Sequence, residues 1–248
     1  MIENDKPETL DRLSLRERPD GVPVMRQNWW KLLFLHWPVS AEVMRPLVPE
    51  RLEVDTFGGS AWVGVVPFTM TGVRLSFAPP VPFVSEFHEL NVRTYVHHEG
   101  VPGVWFFSLD ASSAAAVFGA RTFFHLPYFN ARITLEEQGN QIHYRSRRTD
   151  DPPASFEAEW RIGDGGEHFA QPDTLEFFLV ERYSLYAAHR EKLYRGRVHH
   201  QPYPLRDATL LSLDSTMVEA AGLRTPSEEP RVHYSDGVEV GVWPLEEL

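Results

Sequence analysis

The chain has 248 residues, a formal net charge of −11 and a pI near 5.5. This acidic balance disfavours binding to nucleic acid phosphates, and the length suits one large β-rich domain. Cysteine is absent, which excludes disulfides, thiolate catalysis and Cys-ligated metal and fits a cytoplasmic protein. The amino-terminal stretch is charged and lacks the apolar core of a secretory signal, and the most apolar run, Trp29 to Trp37, is interrupted by Lys31 and His36; neither membrane insertion nor export is expected.

Residues 1–23 read as a polar lead-in, ending at Pro19, Gly21 and Pro23, and residues 24–248 as a single domain. After the apolar run, Ser40 is placed to cap a short helical turn through Met44 before Pro46 ends it. The segment LEVDTFGGSAWVGVVPF mixes β-branched and aromatic residues around Gly58-Gly59 and predicts a hairpin.

Alternation in ELNVRTYV puts Leu90, Val92, Thr94 and Val96 on one face and Glu89, Asn91, Arg93 and Tyr95 on the other. In the next strand Phe106, Ser108 and Asp110 stand opposite Trp105, Phe107 and Leu109, and HHEGVPG between the two predicts a hairpin. Glu89, Arg93 and Asp110 are then a candidate cluster: Arg93 to clamp a carboxylate, an acid to orient it or move a proton. A structural Arg-carboxylate pair on the same face is the other reading of those residue types.

Meander strands with one wet side follow in ARITLEEQGNQIHYRSRR, turning at Gly139-Asn140, and in SFEAEWRI, where Phe156, Ala158, Trp160 and Ile162 share a face. Arg145, Arg147 and Arg148, the densest basic run, read as a solvated face. Asp173 with Glu176 resembles a capping box for LEFFLVERY, and Asp214 can cap STMVEAA before Gly222 stops it. The 11 histidines include the adjacent pairs His97-His98 and His199-His200. Strand neighbours point to opposite faces, so neither pair can grip one ion. His88-Glu89 begins like a zinc-protease motif, but Val92 stands where the second histidine belongs. No metal and no cofactor is expected, and there is no phosphate-binding glycine loop, dinucleotide fingerprint or nucleophile elbow.

Many strands with few helices imply a mainly β, closed or two-sheet architecture. The pieces QNWWKLLFLHWPV, LVPERLEVDTFGGSAWVGVVPF, ELNVRTYV, PGVWFFSLDASS, LPYF, LEFFLVERYSLY and HYSDGVEVGVWPL together resemble domain-of-unknown-function family 2071, the YqjF-like proteins of the acetoacetate decarboxylase-like superfamily. The resemblance implies a cone-shaped β-barrel with covering sheets. VPERLEVD and ARTFFHLPYF are also similar to stretches of the decarboxylases. In the second stretch Arg121 and Pro127 fall into register, while Tyr128 and Phe129 occupy the positions of the two lysines. The arginine those enzymes carry on an early strand would fall near Trp37 and Pro38, where this chain has none.

The imine-forming nucleophile is therefore missing, and a phenol cannot replace an amine in that step. Only Lys6, Lys31, Lys192 and the amino terminus could form an imine. Lys31 shares a strand face with Trp29 and Leu33 by alternation, and is either a relocated nucleophile or an edge lysine reaching water. Arg121, His125 and Tyr128 join the candidates because they lie on the segment that carries the active site in the resembled enzymes; His125 and Tyr128 are of the right types for acid-base work.

Three functions remain open at this level. The first is a barrel that binds a small acidic or carbonyl metabolite without imine chemistry, using Glu89, Arg93, Asp110 and Arg121. The second is an acid-base enzyme of lyase or isomerase type acting on a small oxo acid. The third is a scaffold filled by its seven Trp and sixteen Phe. Self-association is a base-rate expectation for long exposed strands.

Overall fold

The computed structural model describes residues 10–79 and 85–248. Along the chain run β1 (Met25–Val39), β2 (Glu53–Val54), β3 (Ala61–Leu75), β4 (Phe87–His98), β5 (Val101–Ala111), β6 (Tyr128–Gln138), β7 (Gln141–Arg148), β8 (Ser155–Ile162), β9 (Ser184–His189), β10 (Lys192–His199), β11 (Leu205–Arg206), β12 (Ala208–Ser215), β13 (Arg231–Val242) and β14 (Glu246–Glu247). Between them lie four short helices: α1 (Ala41–Met44), α2 (Ala114–Phe123), α3 (Leu175–Val180) and α4 (Met217–Ala220). None of these is long and apolar enough to cross a membrane.

The strands β5, β9, β10, β13, β1, β3 and β4 pair in that order, and β4 pairs back onto β5, so they close a ring. Closure removes the free edges that an open sheet of this size would expose. The antiparallel strands β6, β7, β8 and β12 form a covering sheet, joined to the ring through a short parallel pairing of β5 with β6.

Strand alternation produces two cores. One cluster takes Leu32 and Phe34, Trp62 and Val66, Tyr95, Val104, Ala187, Val198 and Val240, at least one residue from every ring strand, and is the ring interior. The other takes the opposite faces of β1, β3 and β4, with Leu33, Val63 and Val92, and packs them against Ile142, Tyr144, Phe156 and Trp160 of the covering sheet.

Two bulges reset the alternation. In β1, Lys31 adopts a positive φ of 55° where the β3 register shifts, so Trp29, Leu32 and Phe34 turn inward together; Lys31, expected on one face with Trp29 and Leu33, is parted from the inward Trp29 and reaches Glu137 of β6, in the covering sheet against which Leu33 packs. In β5, Arg93 pairs with Phe106 and Val92 with Ser108, leaving Phe107 as the extra residue.

Several expectations hold: Ser40 caps α1, accepting from the Val43 amide at 3.3 Å, and the β4–β5 and β6–β7 hairpins form. Others are corrected. The Gly58-Gly59 turn exists, both residues at positive φ, but β2 pairs with β4 and not with β3. The cap of α3 is Thr174, accepting from the Phe177 amide, because Asp173 takes a positive φ of 63°. Asp214 stays within β12, and Ser215 accepts the Met217 amide at the start of α4. Helix α2, capped by Ser113, was not anticipated. From residue 10 onward the segment before β1 packs against the rest of the chain: Arg12 pairs with Asp55, which Arg182 also holds at 2.9 Å, and the Trp243 indole donates to the Asp20 carbonyl.

Candidate functional site

The inward face of β4 presents Glu89, Asn91, Arg93 and Tyr95, all buried. Alternate residues of a strand lie about 7 Å apart, so these side chains form a polar strip along the wall of a mainly apolar interior.

At one end of the strip the Tyr128 hydroxyl donates to Glu89 Oε2 at 2.7 Å. Both candidates flank β5, Glu89 in register with Ala111 and Tyr128 with Leu109, and this brings a β4 acid and a β6 phenol together over one strand. Burial pushes the Glu89 carboxyl up to about 8, against the downward pull of the Tyr128 hydrogen bond. Tyr128 is likewise raised, first by burial and then by Glu89. At neutral pH the pair is therefore an uncharged acid and a phenol, and it can supply a proton or a hydrogen bond without a net charge.

Arg93, further along, does not meet Glu89 or Asp110. Its Nη2 donates to the Leu179 carbonyl of α3 at 3.1 Å, and its guanidinium lies 5.6 Å from the Phe34 ring centre and 5.7 Å from that of Tyr95. No carboxylate among the described residues pairs with it, and its Nε is buried without a partner. The Tyr95 hydroxyl donates to the Leu179 carbonyl at 2.6 Å and also lies 2.7 Å from His36 Nε2. Gly64 leaves the room this needs, since a Cβ there would meet the His36 ring at 2.9 Å. Burial holds His36 well below the usual histidine range, as do the Arg93 and His233 charges, so its imidazole is neutral.

Asp110 corrects the expected cluster. The Phe107 bulge reverses the sidedness of β5, so Asp110 pairs in register with the outward Leu90 and turns from Arg93. Its partner is Arg148, which donates from Nη2 to Oδ1 at 2.7 Å and from Nε to Oδ2 at 2.9 Å while lying 4.0 Å over the Phe129 ring. Arg148 was thus wrongly assigned to a solvated face. Its parity with Ile142, Tyr144 and Ser146 already marked the buried side of β7.

Arg121 and His125 line a cleft of about 460 Å³ with Trp105, Phe106, Leu126 and Ala188. The cleft exists because β5 pairs with β9 only at Val104 and Trp105 and with β6 only from Leu109 onward. Between those points the ring wall parts. Arg121 is committed to structure, donating from Nε to the Tyr128 carbonyl at 2.7 Å and from Nη2 to Asp150 at 2.8 Å. His125 stacks on His189, ring centres 4.3 Å apart and planes within 6°. Partial burial lowers its pKa, with His189 adding to the effect, so His125 is held toward the neutral form. Asn91, His189 and Phe106 were not singled out from sequence, and only Asn91 carried a signal, its place on the polar face of β4.

Lys31 is paired with Glu137 and Lys192 with Glu247, both at the surface. Lys6 lies outside the described residues. Among the described residues no group of three or more His, Asp or Glu is gathered to hold a metal ion.

Residues 26–239 match the family model DUF2071, described as an uncharacterized conserved protein. The chain is 44% identical over 227 residues to the uncharacterized protein YqjF of Bacillus subtilis (strain 168), covering 92% of this chain and 93% of that one. Acetoacetate decarboxylase from Legionella pneumophila superposes with a TM-score of 0.64 at 9% identity, over 93% of this chain and 91% of its own. The enduracididine biosynthesis enzyme MppR complexed with pyruvate gives 0.63 at 13% identity, over 93% of both chains. An acetoacetate decarboxylase-like enzyme from Sphingomonas wittichii RW1 gives 0.59 at 14% identity, over 92% of this chain and 95% of that one. At such identities the likeness is one of fold.

Proposed function

This chain belongs to the DUF2071 family on a fold shared with the acetoacetate decarboxylases, and from that premise we propose that it binds a small carboxylate or oxo acid inside the ring without forming an imine. The observation that carries this reading is Arg93. A buried guanidinium with one carbonyl partner and no carboxylate is costly to desolvate, and an anionic ligand supplies the missing charge and hydrogen bonds. Asn91, whose buried Oδ1 has no donor, offers a second polar contact next along the strip. MppR, on the same fold, is described with pyruvate, which favours an oxo acid among carboxylates. Imine chemistry is disfavoured because Tyr128 and Phe129 stand at the lysine positions and Lys31 and Lys192 are ion-paired at the surface.

A second reading is favoured by one observation, the uncharged Glu89–Tyr128 pair: the same ring would then move a proton on the bound oxo acid in a lyase or isomerase step. Neither reading requires a cofactor, and both fit a cytoplasmic protein.

Calorimetric titration of the full chain with pyruvate tests the binding reading. Binding that is lost in Arg93→Met, with the thermal transition retained, is the expected result. Pyruvate binding unaltered by Arg93→Met would overturn it, as would a mass adduct trapped by borohydride in the presence of pyruvate, which would restore an imine.

A further inference from the structure

The cleft and the Arg93 site differ in chemistry, and one residue belongs to both. Phe106 lines the cleft, packs against the ring-interior cluster and is the register partner of Arg93 across β4 and β5, which puts both side chains on the same face. Leu126 and Ala187 likewise line the cleft and belong to the interior cluster. Phe106 is therefore common to the parted wall between β6 and β9 and to the face that carries Arg93.

The cleft makes a poor site for a carboxylate head. The cation lining it, Arg121, is already held by Asp150 and the Tyr128 carbonyl, and His125 is stacked on His189 and held toward its neutral form. Its walls instead suit a flat apolar group: Trp105, Phe106, Phe107 and Tyr186 supply aromatic faces, the parallel His125–His189 stack supplies another at the rim, and Ala187 and Ala188 leave space between them. At about 460 Å³ the volume exceeds what a three-carbon acid fills and lies in the range of ordinary small-molecule pockets.

We infer that this cleft is the tail subsite of the Arg93 site, and that the ligand is a carboxylate bearing a flat apolar tail, an aryl-substituted 2-oxo acid being the class that satisfies both halves. The inference rests on the carboxylate reading given above. The head passes Phe106 to reach Arg93, and the ring remains between Trp105 and the histidine stack. Phe106 is thus the specificity-determining residue, separating ligands that occupy only the cleft from those that reach the charge.

The test compares pyruvate, which has the head alone, with phenylpyruvate, which adds the ring, by titration of the full chain. Phenylpyruvate is expected to bind about tenfold more tightly, a modest return for burying one aromatic ring. Ala188 is exposed, so Ala188→Trp fills the cleft from its outer wall. It should reduce the phenylpyruvate advantage, taken as the ratio of the two affinities in the same variant, to less than about twofold; Ala188→Leu serves the same purpose if the larger side chain lowers the melting temperature. Equal wild-type affinities for the two acids, or an advantage that survives both fillers, overturns the tail subsite and leaves the Arg93 reading intact. Absence of binding by both acids, or binding of both that persists in Arg93→Met, overturns the carboxylate reading and the tail subsite with it.

Discussion

Arg148 clasps Asp110 through two parallel N–H donors, at 2.7 and 2.9 Å, with neither side chain reached by water. This pair joins β7 of the covering sheet to β5 of the ring across β6. It also removes Asp110 from the ring interior and leaves Arg93 without a carboxylate.

Breaking the Arg148–Asp110 pair from one side strands a buried charge. Arg148→Met is therefore expected to destabilise the fold by about 3–5 kcal/mol, measured by denaturant unfolding. The double variant Arg148→Met with Asp110→Leu should recover much of that loss, because both charges are then gone. A double variant as unstable as the single one would show that packing over Phe129, and not charge, holds the two sheets together.

Arg93 should behave in the opposite way. Its guanidinium makes one hydrogen bond, to Leu179, and has no carboxylate partner among the described residues, so Arg93→Met removes a desolvation cost and fills similar volume. The melting temperature of the unliganded protein should be unchanged or higher. A fall of several degrees would mean that the contacts with Phe34, Tyr95 and Leu179 brace the fold, and would assign Arg93 to structure.

Glu89 predicts a pH dependence of stability whose sign follows from its raised pKa. Below its ordinary value of 4.5 both folded and unfolded chains hold the proton; between 4.5 and about 8 only the folded chain does, so stability falls as pH rises through that window and levels off above it. Glu89→Gln keeps an acceptor for Tyr128 and has no proton to lose, so it should flatten this part of the profile and be the more stable protein at high pH. Parallel profiles for the two proteins, from denaturant midpoints measured below, within and above the window, would contradict the assignment.

Tyr128→Phe removes the hydrogen bond that holds the Glu89 carboxyl down. The Glu89 titration, followed by carbon-13 NMR of the side-chain carboxyl, should move upward, and a downward shift would place the source of the perturbation elsewhere. If the pair transfers protons, turnover of an oxo acid should fall with this substitution by about a hundredfold. Binding through Arg93 should be retained.

The sequence by itself determined the strand-rich architecture, the meander of β6 to β8, the polar face of β4 and the absence of lysine from the segment ARTFFHLPYF. All of these rest on alternation over neighbouring residues or on the identity of a residue at one position, and neither needs knowledge of what lies across the sheet. Tertiary structure decided the site. Glu89 and Tyr128 are brought together because β5 pairs with β4 on one edge and with β6 on the other. Asp110 is taken from Arg93 because one extra residue, Phe107, reverses the sidedness of its strand. Lys31 is turned to the surface and Phe34 inward by a second such residue in β1. A bulge leaves almost no mark on local composition, yet it moves every following side chain to the opposite face. Which polar residues meet in this ring was therefore settled by register between distant strands.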